Sequence, residues 1–208
     1  MQPVSYLIRS QSQNTRVAVL ASGARRVPRG LRDLPPAELD TITTWQRVVV
    51  VGSDADLAKV LTALLRADRL DVEVAHLRRP WPARWARTAP ATRVPLIRDE
   101  TGTVLVRGAR WQPAAGEQSL RGEAVVDDTV LFDGTVRAVR VEPTAQLPGL
   151  RAAVLTGPLR PRRWVSGRAA QLGTTGAVVV RDGVAAARPL RRSTFYRHTQ
   201  GWLRVSRR

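Results

Sequence analysis

Cysteine is absent from the 208-residue chain. That excludes disulfides, cysteine zinc sites, iron–sulfur clusters and thiol nucleophiles. Histidine occurs twice, as His76 and His198, so neither an H-E-x-x-H metalloprotease helix nor a three-histidine metal site can be built. Lysine occurs once, as Lys59, and aromatic residues make up only 5%. No apolar run reaches the roughly 18 residues that a membrane-spanning helix needs. The first thirty residues carry Arg9, Arg16, Arg25, Arg26 and Arg29 with no long apolar core between them. They do not read as a secretory signal, and a cytoplasmic location, with peripheral membrane contact as an option, is the expectation.

Arginine is abundant. It supplies 33 of the 34 basic residues, which face 17 acidic ones and leave a net charge of +17. Hydrophobic residues at 43% and charged residues at 25% suit a globular chain of one domain or two small ones. The charge is uneven. Residues 151–208 hold 13 Arg against one acid, Asp182, a concentration that creates a strong positive field. Partners of matching chemistry are phosphorylated small molecules, anionic lipid head groups and nucleic acid. A solvated basic face with no partner competes with all three.

Residues 15–22 (TRVAVLAS) and 47–51 (RVVVV) are apolar, β-branched runs and predict buried strands. The Gly-, Pro- and Arg-rich stretch between them predicts an irregular connection, with a short helix starting at Pro35-Pro36. In residues 56–66, Leu57, Val60, Leu61, Leu64 and Leu65 fall on one helical face, and Ser53 or Asp54 would cap that helix. Residues 71–77 (DVEVAHL) predict a third strand, completing a strand–helix–strand unit whose strands run parallel. After a loop or short helix over 78–92, strands are expected at 94–98, 103–107, 123–126, 130–132, 136–141, 151–155, 163–172, 177–180, 189–196 and 201–205. Asp127-Asp128-Thr129 and Asp133-Gly134 read as turns. The fold class is therefore α/β plus β. A small N-terminal parallel α/β unit, residues 1–90, packs on an antiparallel β-sandwich or open-barrel domain, residues 91–208.

The segment VVVVGSDADLAKVLTALLR, residues 48–66, resembles the phosphate-loop region of the diacylglycerol kinase and NAD kinase fold group, most of all the small bacterial lipid-kinase type. In that group the strand leads to Gly-Gly-Asp-Gly-Thr and then a helix. Gly52 and Asp54 match, while Ser53, Ala55 and Asp56 stand where the group has Gly, Gly and Thr. The group's next strand ends in a second, Gly- and Asn-containing phosphate loop. Here LDVEVAHLRRPWPARWARTA, residues 70–89, keeps the strand and lacks Gly, Thr and Asn at the loop. Val180-Arg181-Asp182-Gly183-Val184 is similar to the late Asp-Gly turn of the group's β domain. The whole chain also resembles a set of actinobacterial proteins. The resemblance implies a kinase fold, and ATP with Mg²⁺ as cofactors if the kinase reading holds.

Phosphoryl transfer needs close backbone N–H groups, a carboxylate and cationic groups. Asp54 is the candidate catalytic carboxylate. Gly52, Ser53, Asp54, Asp56, Arg78 and Arg79 are the candidate cofactor-binding residues, with Arg84 and Arg87 as further charge. Asp54 and Asp56 form a candidate Mg²⁺ pair, against which stands simple capping of the helix by both carboxylates. Asp56 in place of Thr adds negative charge where a triphosphate would lie. Asp127, Asp128 and Asp133 could group as carboxylates, and Ser193-Thr194 with His198 as nucleophile and base; turn and strand-end roles compete with both. Trp81, Trp85, Trp111, Trp164 and Trp202 each lie within three residues of an Arg and could stack bases or fill a core. Arg160, Arg162, Arg163, Arg191, Arg192 and Arg197, with the terminal Arg204, Arg207 and Arg208, are the candidate polyanion-binding set. Three functions fit. One is a non-catalytic lipid-kinase-like protein that binds a phosphorylated ligand or anionic lipid. A second is an active ATP-dependent lipid or NAD kinase with an altered phosphate loop. The third is a basic nucleic-acid-binding or ribosome-associated accessory protein. Loss of the loop glycines favours the first over the second.

Overall fold

The computed structural model describes residues 16–79, 83–156 and 160–207. In chain order the strands and helices begin with β1 (Val17–Ala21), β2 (Arg47–Val51), α1 (Asp54–Arg66), β3 (Glu73–Leu77) and α2 (Trp85–Thr88). Next come β4 (Ala91–Val94), β5 (Ile97–Asp99), β6 (Val104–Leu105), β7 (Ala109–Pro113), β8 (Leu120–Val126) and β9 (Thr129–Val136). The chain continues with β10 (Ala138–Pro143), β11 (Leu150–Thr156), β12 (Arg160–Pro161) and β13 (Val165–Gly167). It ends with β14 (Ala169–Arg181), β15 (Val184–Ala185), β16 (Leu190–Arg197) and β17 (Trp202–Val205).

Every residue of β2 is buried, as expected for a parallel strand covered on both faces. Val48 and Val50 pack under α1 with Leu57, Val60, Leu61 and Leu64. Val49 and Val51 face the other way, toward Leu31, Ala83 and Ala86. The first sheet has the order β1-β2-β3-β17-β4, with β1, β2, β3 and β17 parallel and β4 antiparallel to β17. Strands from both sides of residue 90 thus share one sheet, since β4 and the final strand are hydrogen-bonded into the α/β layer. The periodicity of residues 201–205 carries no information on which sheet the strand joins.

The remaining strands form one large antiparallel sheet, running β12-β11-β10-β7-β14-β16-β5-β6 with the β8–β9 hairpin attached to β14. The 13-residue β14 changes partner along its length. Ala170–Thr174 pair with β8, whereas Ala177–Arg181 pair with β7. This switch folds the sheet over. Leu120, Ala124, Val126 and Phe132 of the hairpin join Trp111, Val139, Val141, Ala152 and Val179 in one apolar cluster.

Three local expectations are corrected. Pro35-Pro36 starts no helix. The segment is extended and lies along β1, with Val19 N–H donating to Pro35 O at 2.9 Å and Ala37 N–H to Val19 O at 2.8 Å, which covers the free edge of that strand. Asp133-Gly134 is not a turn either. Both residues lie inside β9, opposite Glu123 and Gly122, with Gly134 taking a φ of +112° that glycine tolerates within the strand. The strand expected over 163–172 is interrupted at Arg168. There the Asp127 carboxylate accepts the N–H groups of Arg168 and Ala169 at 2.9–3.0 Å and takes them from the ladder.

Candidate functional site

The site lies where β2 ends and α1 begins, at the carboxyl end of the parallel strands, the usual ligand position of open α/β sheets. Gly52 N–H donates to Leu77 O at 3.1 Å, tying the loop to β3. A Cβ at Gly52 would stand 2.8 Å from Cβ and Oδ2 of Asp56, so only glycine fits. Ser53 is the N-cap of α1. Its hydroxyl accepts from Asp56 N–H at 3.2 Å, while Asp56 Oδ2 accepts from Ser53 N–H at 2.8 Å and from Ser53 Oγ–H at 2.7 Å. This is a reciprocal capping box. Burial pushes the Asp56 carboxyl up, yet the Ser53 donors, Ser22 and Lys59 outweigh it and hold it below the usual carboxylate range. Ser53→Ala should lower stability by about 1 kcal/mol, read as a fall in urea midpoint at unchanged slope. No change would mean that the box carries no load.

Asp54 points elsewhere. Its buried carboxylate lies 2.6 Å from Nη2 of Arg78, 3.8 Å from Nη1 of Arg107 and 4.0 Å from Nδ1 of His76. Oδ1 receives no aligned hydrogen bond, so the short Arg78 contact is an ion pair with poor donor geometry. Asp54 and Asp56 therefore have different partners and do not converge. Among the described residues no group of three or more His, Asp or Glu is arranged to hold a metal ion. His76 Nε2 lies 3.1 Å from Gly52 O, an acceptor, which places the ring proton on Nε2.

Burial holds the His76 pKa below 6.5, with the Gly52 carbonyl and Asp54 opposing. A histidine with a depressed folded-state pKa contributes stability above its unfolded value. That stability is lost as pH falls from about 6.5 through the folded value. His198 is also depressed, by burial and then by Arg98, so the wild-type slope contains both. His76→Gln should therefore flatten, without abolishing, the loss of stability between pH 7 and 5. An unaltered slope would contradict the buried neutral ring.

Residues distant in sequence complete the site. Asp182 sits in the β14–β15 turn at φ +48° and is followed by Gly183 at φ +90°. Its carboxylate accepts three backbone N–H groups, from Val106 at 3.0 Å, Arg107 at 2.7 Å and Gly108 at 3.1 Å. Burial, opposed by these donors and reinforced by the charge of Asp54, raises its pKa above the ordinary carboxylate value. Asp54 and Asp182 line one cleft of about 300 Å³ together with Arg107, Arg110 and Arg140. Arg110 and Arg140 are register partners on β7 and β10 and therefore point the same way. Sequence reading singled out neither them nor Arg107, and took Asp182 only as a turn. Its being the sole acid among 13 Arg in residues 151–208 was the available signal.

Arg78 joins the cleft through Asp54, and Arg79 is exposed beside it. Arg87 turns away to Asp33 at 2.8 Å. Asp127 is spent on the Arg168 break, and Asp133 lies on another strand, so the carboxylates of 127–133 do not gather. Ser193 is buried and accepts the Trp111 indole N–H at 3.0 Å, which is a core role. Trp111 and Trp202 are buried, Trp85 is half-buried, and Trp164 stacks on the Arg151 guanidinium at 4.2 Å. Trp81 and Arg208 lie outside the described residues. Arg160, Arg162, Arg163, Arg191 and Arg192 are exposed, and Arg197 donates to Pro148 O at 3.0 Å. Between β12 and β16 lie β11, β10, β7 and β14.

No family model matches the chain, and no curated protein matches its sequence. Solved structures do. A diacylglycerol kinase from Bacillus anthracis str. Sterne superposes with a TM-score of 0.66 at 10% identity, covering 93% of this chain and 97% of that one. An NAD kinase from Archaeoglobus fulgidus, solved in complex with ATP, superposes with a TM-score of 0.60 at 11% identity, covering 92% and 93%. Among the described residues no helix is long and apolar enough to cross a membrane. With its mixed sheet, its large antiparallel sheet and these two likenesses over nearly the whole chain, the protein has the fold of the diacylglycerol kinase and NAD kinase group.

Proposed function

We propose that the chain is a non-catalytic member of this fold type that binds a phosphorylated ligand, such as a free phosphate monoester or an anionic lipid head group. The observation that carries this reading is the Asp56 carboxylate on Ser53 N–H and Oγ. A backbone donor that would face a nucleotide phosphate is satisfied by the chain's own anion at the positive end of α1. Neither ATP nor Mg²⁺ fits this arrangement well. Asp54 is paired by charge with Arg78 and Arg107, Asp56 is hydrogen-bonded to Ser53, and the two carboxylates share no partner. What stays open to an anion is the neighbouring cleft. Arg107, Arg110 and Arg140 give it charge, and Gly183 gives close backbone approach.

The test is a calorimetric titration with glycerol phosphate and with vesicles containing an anionic phospholipid, each at low and at about 0.15 M salt. Saturable binding of the monoester that weakens with salt supports the reading, and a vesicle response identifies the head group as lipid-borne. Absence of binding to both ligands overturns it.

A further inference from the structure

A second, larger concavity lies on the other side of the Asp182 turn, and its chemistry is different. It is a groove of about 710 Å³, within the ~300–1,000 Å³ span of small-molecule sites. One wall is α1 with its C-cap residue, through Ala55, Ala58, Thr62, Ala63 and Ala67. These positions form a stripe distinct from the buried Leu57, Val60, Leu61 and Leu64. The other wall is the β15 turn, through Val184, Ala185 and Ala186. The helical wall is ~18 Å long at 1.5 Å per residue. Of the four exposed large apolar side chains among the described residues, Leu39 and Val184 both border this groove.

The polar groups of the groove divide into committed and free ones. Thr62 Oγ accepts from Val104 N–H at 2.9 Å. Arg181 is held 2.7 Å from the buried Asp99 carboxylate. Asp182 accepts its three backbone N–H groups. Lys59 and Arg66 remain. They lie seven residues apart on α1, so both point along the groove rim. Lys59 is 71% exposed and only 4.0 Å from Asp56, and Arg66 makes no ion pair among the described residues. An apolar, elongated floor with two exposed cations at its edge complements a ligand with an apolar tail and an anionic head.

We infer that this groove binds a single-chain anionic amphiphile, a long acyl chain ending in a carboxylate or phosphate, with the chain along α1 and the head at Lys59 and Arg66. The site is separate from the arginine cleft and does not depend on it.

The experiment is a calorimetric titration of the full chain with the straight-chain carboxylates of 8, 10, 12 and 14 carbons, each below its micelle concentration. Dodecyl phosphate, dodecanol and dodecylamine complete the series. Each added pair of methylenes should tighten binding by roughly tenfold until the groove is full. Dodecyl phosphate should bind like the carboxylate, whereas dodecanol should bind at least tenfold more weakly and dodecylamine not at all. Ala63→Phe, which narrows the floor, and Val184→Glu, which charges the opposite lip, should each weaken dodecanoate at least tenfold. Lys59→Glu/Arg66→Glu should remove the preference for dodecanoate over dodecanol. Glycerol phosphate binding should be unchanged in all three variants, which also reports that they fold. Binding independent of chain length, or unaffected by both groove variants, overturns the inference. So does a concentration-dependent dimer by light scattering that Val184→Glu dissociates, since a second copy would then occupy the groove.

Discussion

Trp111→Ala should cost about 4 kcal/mol or more, the largest loss expected from any single substitution in the chain. Trp111 is fully buried in the middle of the large sheet and stacks on Phe195 at 5.9 Å between ring centroids. Its indole N–H donates to the buried Ser193 hydroxyl. Truncation opens a large cavity, a loss of about 3–5 kcal/mol, and strands that hydroxyl without a partner. Since domains are stable by only about 5–15 kcal/mol, the variant should be marginal or unfolded at 25 °C. Trp111→Phe keeps most of the volume and the stack, so it should lose clearly less. Urea midpoints of the two variants decide the matter. A Trp111→Ala shift equivalent to less than about 1 kcal/mol would contradict the packing described.

Arg110→Ala/Arg140→Ala should abolish phosphate-monoester binding while leaving the fold intact. Charge-assisted hydrogen bonds contribute about 1.5–3 kcal/mol each, so losing two should weaken binding on the order of a hundredfold or more. Stability should hardly move. Arg140 is 39% exposed and shares Glu142 with Arg151, and such partly solvated pairs stabilise little. Unchanged binding in the double variant would place the ligand elsewhere. The obvious alternative is the basic clusters on β12 and β16, and a triple Arg160→Ala/Arg162→Ala/Arg163→Ala variant separates the two.

The α/β half was legible in the sequence because its signals are local. The Val48–Val51 run, the i, i+3, i+4 spacing of Leu57 to Leu65 and the Ser53 cap each specify structure within a few residues. Strand positions in the β half were mostly legible for the same reason, through period-2 alternation and Asp-containing turns. Failures arose where the deciding contact was distant. Nothing around Arg168 announces that Asp127 will break its strand, and nothing in GWLRV announces that residues 202–205 will pair with β3. The candidate site divides in the same way. Gly52, Ser53, Asp54 and Asp56 are contiguous and read as one group in the sequence, whereas Arg107, Arg110, Arg140 and Asp182 converge only after β7, β10 and β14 pair. The role of Asp56 was legible in its charge but not in its hydrogen bonds. Ser-x-x-Asp is an ordinary helix start, and only the folded geometry shows that the Asp56 carboxylate accepts both Ser53 N–H and Ser53 Oγ–H.

Phosphoryl transfer measured directly is the sharpest test of that account. Purified chain incubated with γ-labelled ATP and Mg²⁺ should move no label to diacylglycerol, NAD or a sphingoid base above the level of a no-protein control, while still binding glycerol phosphate. Sustained turnover that disappears in Asp54→Ala and in Asp182→Asn would contradict it. The two carboxylates of the cleft would then be working as catalytic groups, with the Asp56 capping box no barrier to the nucleotide.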